Sequence, residues 1–366
     1  MLCNKTKTRF ALSVLIGILG SNTIAFAAAR GSHTPGFSMS VIHGTVNDDV
    51  AYSPNLPAGG FAPAQNKARF NSNRIKLSYS TSVNSRIDVG LGQLRMTSLR
   101  DEFVINSLKA GIQRTVYTSV DRKYGLDLGL FTGFNYATQI HKNSYTNFGD
   151  QLITDVRLLN PRDYRLTLAG KLGVVLTDQL QLTVELNGGS TRTTQRSIKG
   201  MARLSNNCRF QFNANESSAT VRQLDSCGRL QSFERQYNSD NTLTEELGFS
   251  VARDISYTEY FAGTRVALTW RKDKLRLKAG YAARVYNRPT LDSRIRNSGD
   301  QPVTSSQQLD VGVYRDIFDH WQISTGAIYQ KSAFLDDVPF LYSALTNQRY
   351  QDKNVLRFQF ELRRQF

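Results

Sequence analysis

The sequence predicts an all-β fold, a transmembrane antiparallel up-and-down β-barrel of about twelve strands. Three observations predict it. The N-terminus resembles an export signal, segments with an apolar residue at every second position recur along the chain, and the polar links between them are alternately short and long. Because side chains on a strand alternate between two faces, each segment has an apolar and a polar face. In a membrane barrel the apolar face meets lipid and the polar face lines a wet interior.

Residues 1–27 have the parts of a secretory signal peptide. Three basic residues precede an apolar run, and Ala25-Phe26-Ala27 supplies small residues before a cleavage site. The run is shorter than the roughly 20 residues of a membrane-spanning helix, so we expect cleavage and export rather than anchoring. Residues 28–36 are then a short lead-in, and residues 37–366 form the barrel.

Twelve segments have the alternating pattern, and each is long enough for a tilted membrane crossing of about ten residues. They include residues 37–41, 75–79, 87–91, 108–112, 124–130, 164–174, 180–186, 266–270, 275–281, 309–313, 321–329 and 356–362. The last segment is the most regular, with Leu356, Phe358, Phe360 and Leu362 on one face. An even number of strands predicts that this last strand closes on the first, near Phe37.

The links between the segments alternate in length. Five tight turns are predicted near residues 85, 122, 178, 272 and 318, and the longer polar links span residues 47–68, 97–106, 138–162, 192–258, 287–305 and 332–353. Barrels of the outer membrane alternate short periplasmic turns with long external loops in this way. Both ends of the barrel are therefore predicted to lie on the periplasmic side.

The chain resembles Gram-negative outer-membrane β-barrel proteins of a porin-like kind in these features together. The resemblance implies a location in the outer membrane of a Gram-negative bacterium, among its lipids and lipopolysaccharide. It also implies that the terminal Phe366, with Leu362, Phe360 and Phe358 before it, is the signal read by the barrel assembly machinery. Arg364 departs from the pattern, because an apolar residue is expected at its lipid-facing position.

Charge supplies the main functional hypothesis. The net charge of the whole chain is +16, which favours anionic partners. Nucleic acid is not expected, since the chain is exported and has no recognition motif. The predicted lumen-lining and anion-binding residues are Arg74, Lys76, Arg165, Lys171, Arg265, Arg276, Lys278, Arg284, Arg357 and Arg363, with Lys109 and Arg271 beside them. The predicted acidic residues of the lumen are fewer: Asp88, Asp127, Glu185, Asp310 and Glu361. This pattern predicts a channel for small anions or acidic oligosaccharides, with no cofactor.

Two alternatives stay open. Interior ion pairs can simply hold a small barrel together, which would make the protein a non-conducting structural or adhesion barrel. A lipid-modifying hydrolase with a site at the rim is the other alternative, and His141 and Ser144 are its weak catalytic candidates. His43, with Asp48 and Asp49, is a still weaker candidate for a cation-dependent site.

The link at residues 192–258 is unusually long, and links of this length are typically lids, binding loops or disordered segments. Cys208 and Cys227 lie within it, and in an oxidising compartment they are predicted to form a disulfide. A metal site is not predicted there, because no His or second cysteine pair is near. Basic residues of this link also suit lipopolysaccharide phosphates: Arg192, Arg196, Lys199, Arg203, Arg209, Arg222, Arg229 and Arg235.

Overall fold

The computed structural model describes residues 36–46, 69–82, 85–97, 102–142, 146–148, 151–203, 208–215, 218–224, 234–238, 256–297, 301–331, 339 and 354–366. The predicted signal peptide lies outside these residues. Within them, no helix is both long enough and apolar enough to cross a membrane.

The described residues are mainly β-strands, numbered along the chain. They are β1 (Gly36–Val46), β2 (Arg69–Ser82), β3 (Ser85–Thr97), β4 (Glu102–Thr118), β5 (Tyr124–Tyr136), β6 (Gln139–Lys142), β7 (Thr146–Phe148), β8 (Gln151–Leu159), β9 (Arg162–Val175), β10 (Leu180–Thr194), β11 (Ser197–Arg203), β12 (Arg209–Asn215), β13 (Ser218–Gln223), β14 (Glu234–Asn238), β15 (Tyr257–Lys272), β16 (Leu275–Asn287), β17 (Ser305–Phe318), β18 (Trp321–Lys331) and β19 (Asn354–Gln365). A helix, α1 (Pro289–Asn297), follows β16.

Twelve strands close into one antiparallel barrel, in the order β1-β19-β18-β17-β16-β15-β10-β9-β5-β4-β3-β2. Each of the twelve predicted segments lies in a different one of these strands, so the predicted fold class is confirmed. The last strand closes on the first as predicted, with Val41 opposite Leu362. At the seam the backbone N–H of Phe366 donates to the carbonyl of Phe37 at 2.8 Å, and the two rings lie 5.7 Å apart.

The five predicted tight turns connect β2 to β3, β4 to β5, β9 to β10, β15 to β16 and β17 to β18. Arg122 and Asp273 have positive φ angles of 55° and 50° in two of these turns. In the first of the two, the Ser119 hydroxyl donates to Asp121 at 2.7 Å, and this hydrogen bond lowers the pKa of the Asp121 carboxyl. We call the end of the barrel that carries these turns and Phe366 the turn end, and the opposite end the loop end.

The predicted long link at residues 97–106 is wrong. Strand β3 continues to Thr97 and β4 begins at Glu102, and these two residues pair directly. The segment looks like a loop because Arg100, Asp101 and Glu102 follow one another in the sequence. Beyond the apolar belt, two strands can stay paired through their backbones without apolar side chains. A prediction based on polar composition therefore ends β3 and begins β4 at the wrong residues.

The barrel has an apolar outer wall and a polar inner wall. In β9, for example, Leu166, Leu168 and Leu172 are exposed on the outside, whereas Thr167 and Lys171 on the other face are buried. The same alternation gives the other strands exposed apolar residues such as Ile75, Leu91, Leu128, Leu186, Leu268, Val311 and Phe358. An outer belt of this kind is what a lipid bilayer requires of a spanning barrel.

The two longest predicted links are the one after β5 and the one after β10, and both contain β-strands. The first contains β6, β7 and β8, and the second contains β11 to β14. These strands form a second sheet in the order β14-β13-β12-β11-β8-β6, with β7 beside β8. We call it the raised sheet. Its β8–β11 pairing joins segments that are distant in sequence. Strand β12 does alternate, with Phe210, Phe212 and Ala214 on one face, but its 7 residues are fewer than the roughly ten of a membrane crossing.

Cys208 lies buried just before β12. Cys227 lies outside the described residues, so the predicted disulfide stays a prediction.

Candidate functional site in the barrel interior

The inward side of the barrel strands brings the predicted lumen residues together. They lie on the face opposite the outward-facing apolar residues: Lys76 lies between Ile75 and Leu77, and Lys278 lies between Leu277 and Ala279. The basic residues on this side are Arg74, Lys76, Arg86, Lys109, Arg165, Lys171, Arg265, Arg271, Arg276, Lys278, Arg284, Arg357 and Arg363, with Arg288 just after β16. The acidic residues are Asp88, Asp127, Asp163, Glu185, Glu259, Asp310, Asp316 and Glu361.

A row of alternating charges crosses the middle of the inner wall. Asp127, Lys171, Glu185 and Arg265 are direct cross-strand neighbours on β5, β9, β10 and β15. Opposite charges in directly opposed positions stabilise a sheet. The row ends in an ion pair in which Arg265 Nη2 lies 2.6 Å from Asp310 Oδ1 on β17.

Glycine makes this last contact possible. Gly280 of β16 lies between the two strands, and a Cβ there would come within 3.0 Å of Asp310 Oδ1. Because Gly280 has no side chain, Arg265 and Asp310 can meet across β16. The ion pair therefore joins β15 to β17 without a contribution from the strand between them.

A second charged cluster lies nearer the turn end. Asp88 is buried, with Arg86 Nε at 3.0 Å and Lys76 Nζ at 3.5 Å. The Ser78 hydroxyl also donates to Asp88. Arg86 is not among the predicted lumen residues, because the sequence places it in a turn. Counting back two positions from Asp88 would have assigned Arg86 to the inner wall.

Two arginines contact one aromatic ring nearer the loop end. The guanidinium carbons of Arg165 and Arg284 lie 5.1 and 4.8 Å from the centre of the Phe261 ring. The ring fits over β10 at Gly189, where a Cβ would lie 2.9 Å from Phe261 Cζ. Arg276 contacts Tyr314 in a similar way, at 5.7 Å. Aromatic faces attract guanidinium groups and hold them in defined positions.

Beyond Phe261, an ion-pair cluster joins the wall to the segment after β16. Arg288 Nη1 lies 3.3 Å from Glu259 Oε2, and Arg288 Nε lies 3.2 Å from Asp292 Oδ1 on α1. Arg165 Nη2 lies 3.7 Å from the other oxygen of Glu259. Arg288 also donates to the carbonyl of Val303. Arg288, Glu259 and Asp292 are called the Arg288 cluster below.

Helix α1 packs on the inner wall next to this cluster. Leu291 and Ile295 are fully buried against Tyr257, Phe261 and Tyr286, which are inward-facing residues of β15 and β16. The Tyr257 hydroxyl donates to the carbonyl of Pro339 at 2.7 Å, so part of the link after β18 reaches the same region. The interior is therefore narrowed at the loop end. The link predicted at residues 287–305 therefore folds inward. The sequence pattern did not predict the helix in this link, and it did not place Arg288 or Glu259 in the interior.

The weak catalytic candidates are not assembled by the described residues. His141 lies in β6 opposite Arg157, but its side chain and the whole of Ser144 lie outside the description. His43 Nδ1 lies 2.7 Å from Asn73 Oδ1, and its proposed partners Asp48 and Asp49 are also outside. Among the described side chains, no group of three or more His, Cys, Asp or Glu residues could hold a metal ion.

Solved structures similar to this chain are outer-membrane β-barrel proteins. An outer-membrane channel from Pseudomonas putida F1 has a TM-score of 0.45 at 10% identity, with 94% of this chain and 100% of that chain covered. The translocator domain of the autotransporter NalP from Neisseria meningitidis has a TM-score of 0.44 at 12% identity, covering 90% and 87%. The NanC porin has a TM-score of 0.41 at 7% identity, covering 88% and 98%.

No protein-family model matches the chain, and no curated protein matches it. The closed barrel and its apolar outer belt define an outer-membrane β-barrel protein.

Proposed function

We propose that this protein is an outer-membrane channel whose basic lumen passes small anions or acidic oligosaccharides. The observation that carries the proposal is the charge of the inner wall, where inward-facing Arg and Lys residues outnumber Asp and Glu. Rings of such residues favour anions through their potential, and guanidinium groups fork to carboxylate and phosphate oxygens. No cofactor is needed for passive passage.

The contacts of individual arginines support selection of anions over simple packing. Arg276 contacts the Tyr314 ring, and Arg284 contacts the Phe261 ring and donates to Asn187 at 3.3 Å. These contacts hold the two guanidinium groups in defined positions on the inner wall. The inner wall keeps a surplus of basic side chains even though Asp88, Asp127 and Asp310 each lie beside basic residues.

The orientation in the membrane is part of the proposal. We infer that the turn end faces the periplasm of a Gram-negative bacterium and that the loop end, with the raised sheet, faces outward. All five links at the turn end are tight turns, whereas all the links at the loop end are long except the one between β3 and β4, and this asymmetry supports the assignment. Outer-membrane lipids and lipopolysaccharide would then surround the apolar belt, and Phe366 would serve as the signal for the assembly machinery.

Planar-bilayer recording under a potassium chloride gradient tests the channel. We expect a reversal potential that shows chloride preference, and a shift toward potassium in the double variant Arg276→Glu/Arg284→Glu. Arg315→Glu is the matched control, because Arg315 is exposed on the outer wall. A correctly folded barrel that gives no conductance overturns the proposal in favour of a structural barrel. An unchanged reversal potential in the double variant contradicts the basic lumen.

A further inference from the structure

The outward-facing residues of β1 to β4 change from apolar to polar part-way along these strands. Counted from the turn end, β1 presents three apolar residues, at positions 37, 39 and 41, before the change. Strands β2, β3 and β4 change at the positions that continue this row through cross-strand pairing. We call five of the polar residues the polar patch: His43 and Thr45 of β1, Asn73 of β2, Gln93 of β3 and Asn106 of β4.

The polar patch contains a continuous row across the four strands. Direct pairing joins each member of the row to the next, from His43 through Asn73 and Gln93 to Asn106. His43 Nδ1 donates to Asn73 Oδ1 at 2.7 Å, and Gln93 Nε2 donates to Asn106 Oδ1 at 3.2 Å. A side-chain amide has two N–H donors and an oxygen that can accept twice, so these bonds use only part of the capacity of the row. The rest is available to a partner outside the barrel.

The polar patch begins inside the apolar belt. Asn73 lies six residues from Tyr79 at the turn end. A strand that rises about 3.4 Å per residue with a tilt of about 40° covers about 15 Å of depth over six residues, and the apolar band of such a barrel is about 25 Å tall. On β19, the exposed Phe360 and Phe358 lie directly opposite the two β1 residues of the patch. The lower part of the patch therefore lies at a depth where hydrocarbon surrounds the barrel.

The polar patch needs a polar partner at this depth, because hydrocarbon neither donates nor accepts hydrogen bonds. None of its five residues is Arg, Lys, Asp or Glu. Arg95, the next outward residue of β3, lies about 5 Å nearer the loop end, at the level of the headgroups. Lipid phosphates are bound by basic side chains, whereas amides complement other amides because each one both donates and accepts. A second amide-bearing surface therefore fits the patch, and a second copy of this chain provides one.

We propose that two copies of this protein associate side by side in the membrane through the polar patch. Both copies insert in the same direction, so the twofold axis runs along the membrane normal and every residue meets residues of its own depth. The row climbs toward the loop end from β1 to β4, because its next member on β5 is Tyr136, the last residue of that strand. An axis at β2 then places Asn73 against the partner's Asn73, and Thr45 against the partner's Gln93. Side-chain hydrogen bonds of this kind join spanning segments in membranes.

Disulfide crosslinking in isolated outer membranes tests the proposal, because a residue on a twofold axis can crosslink to its own copy. Asn73→Cys is introduced into a full-length chain that also carries Cys3→Ser, Cys208→Ser and Cys227→Ser. We expect oxidation with copper phenanthroline to convert this variant into a covalent dimer of twice the mass.

Thr264→Cys in the same background is the matched control. Thr264 is exposed on β15, half-way round the barrel from β2. It lies six residues from Trp270 at the turn end, as Asn73 lies six residues from Tyr79, so the two cysteines have the same depth. We expect no dimer from the control beyond that of random collisions.

A second measurement removes the polar groups. Asn73→Leu/Gln93→Leu puts leucine on a wall that is otherwise lipid-facing, so the barrel stays folded. We expect the dissociation constant of the dimer, measured by sedimentation equilibrium in detergent, to rise roughly tenfold or more. Thr132→Leu/Thr264→Leu, on the outward faces of β5 and β15, should leave it unchanged. The heat-dependent gel shift of a folded barrel verifies that each variant is folded.

Four outcomes overturn the proposal. Equal crosslinking of Asn73→Cys and Thr264→Cys would mean random collision, and an unaltered protein that sediments as a monomer would mean no association. A crosslink from Asn73→Cys to a protein of another mass would assign the patch to a different partner. Loss of copurified lipopolysaccharide from the leucine variant, with an unchanged oligomeric state, would assign it to glycolipid. Failure of the channel leaves these assays unaffected, because none of them depends on conductance.

Discussion

Arg288 and Glu259 form an ion pair in which the Nη1 and Oε2 atoms lie 3.3 Å apart and both side chains are fully buried. Arg288 also binds Asp292, so the pair ties α1 to the inner wall of β15. Removing one partner of a buried ion pair leaves an uncompensated charge, which costs about 3–5 kcal/mol. Helix α1 is therefore an anchored part of the interior.

The first prediction concerns this anchor. Arg288→Met removes the cation that joins Glu259 of the wall to Asp292 of α1, so we expect α1 to leave the wall and the single-channel conductance to rise. Single-channel recording in planar bilayers measures the change. Arg296→Met is the matched control, because Arg296 is exposed on the same helix. If both variants conduct like the unaltered protein, α1 does not limit passage.

The second prediction concerns the charge row. Asp310→Asn removes a negative charge from the inner wall and leaves Arg265 without its carboxylate, so we expect greater preference for chloride in reversal-potential measurements. Arg265→Gln should shift the preference the other way. The free energy of unfolding should fall by roughly 1–3 kcal/mol in each variant. Asp319→Asn, in an exposed turn, is the control and should change neither the charge preference nor the free energy of unfolding. Equal effects of all three variants would show that the charge row contributes to neither quantity.

The third prediction concerns the packing of the Phe261 ring against Gly189. Gly189→Ala puts a Cβ within 2.9 Å of Phe261 Cζ and against the carbonyl of Leu166. We expect a loss of about 1–3 kcal/mol in the free energy of unfolding, measured by tryptophan fluorescence in urea. Gly90→Ala is the control, since its nearest neighbour, the Ile75 carbonyl, would be 3.7 Å away. A smaller loss for Gly189→Ala than for Gly90→Ala contradicts the packing.

The fourth prediction separates two roles of the terminal aromatic residue. Phe366→Ala removes a ring contact with Phe37 but keeps the backbone hydrogen bond at the seam. If Phe366 is the assembly signal, insertion in cells should fall several-fold while unassisted refolding into lipid vesicles stays close to normal. Phe318→Ala, which removes another strongly exposed ring, serves as control. An equal loss in both settings would assign Phe366 a purely structural role.

The fifth prediction concerns the cysteines. We expect nonreducing mass spectrometry to find a peptide that joins Cys208 to Cys227. A crosslink over this span restricts the unfolded chain and is worth about 3 kcal/mol. Cys208→Ser should therefore lower the unfolding midpoint of the raised sheet without changing the charge preference of the lumen. Free thiols at both positions would rule out the crosslink.

Arg364 shows how a departure from a sequence pattern is resolved in three dimensions. The sequence places it at a lipid-facing position where an apolar residue is expected. In the structure its guanidinium carbon lies 5.3 Å from the Trp321 ring centre and 4.6 Å from the Phe366 ring centre. At the turn end, near the membrane surface, these aromatic faces accommodate the charge.

The sequence alone determined the barrel: twelve strands, their inward and outward faces, the five tight turns and the closure of β19 on β1. This was possible because lipid outside and water inside impose a period of two on every spanning strand. The inward positions of Lys76, Lys171, Arg265 and Asp310 follow from the same period. Outside the membrane this period of two is no longer imposed. In the link predicted at residues 97–106, the polar composition therefore led to wrong ends for β3 and β4.

Only the tertiary structure decided which of these residues meet. Arg265 reaches Asp310 across Gly280, Phe261 lies between two arginines over Gly189, and α1 folds inward onto Tyr257 and Tyr286. The raised sheet joins two links through the β8–β11 pairing. Such contacts depend on the curvature of a closed wall and on partners far apart in the chain, and no local sequence pattern records either of them.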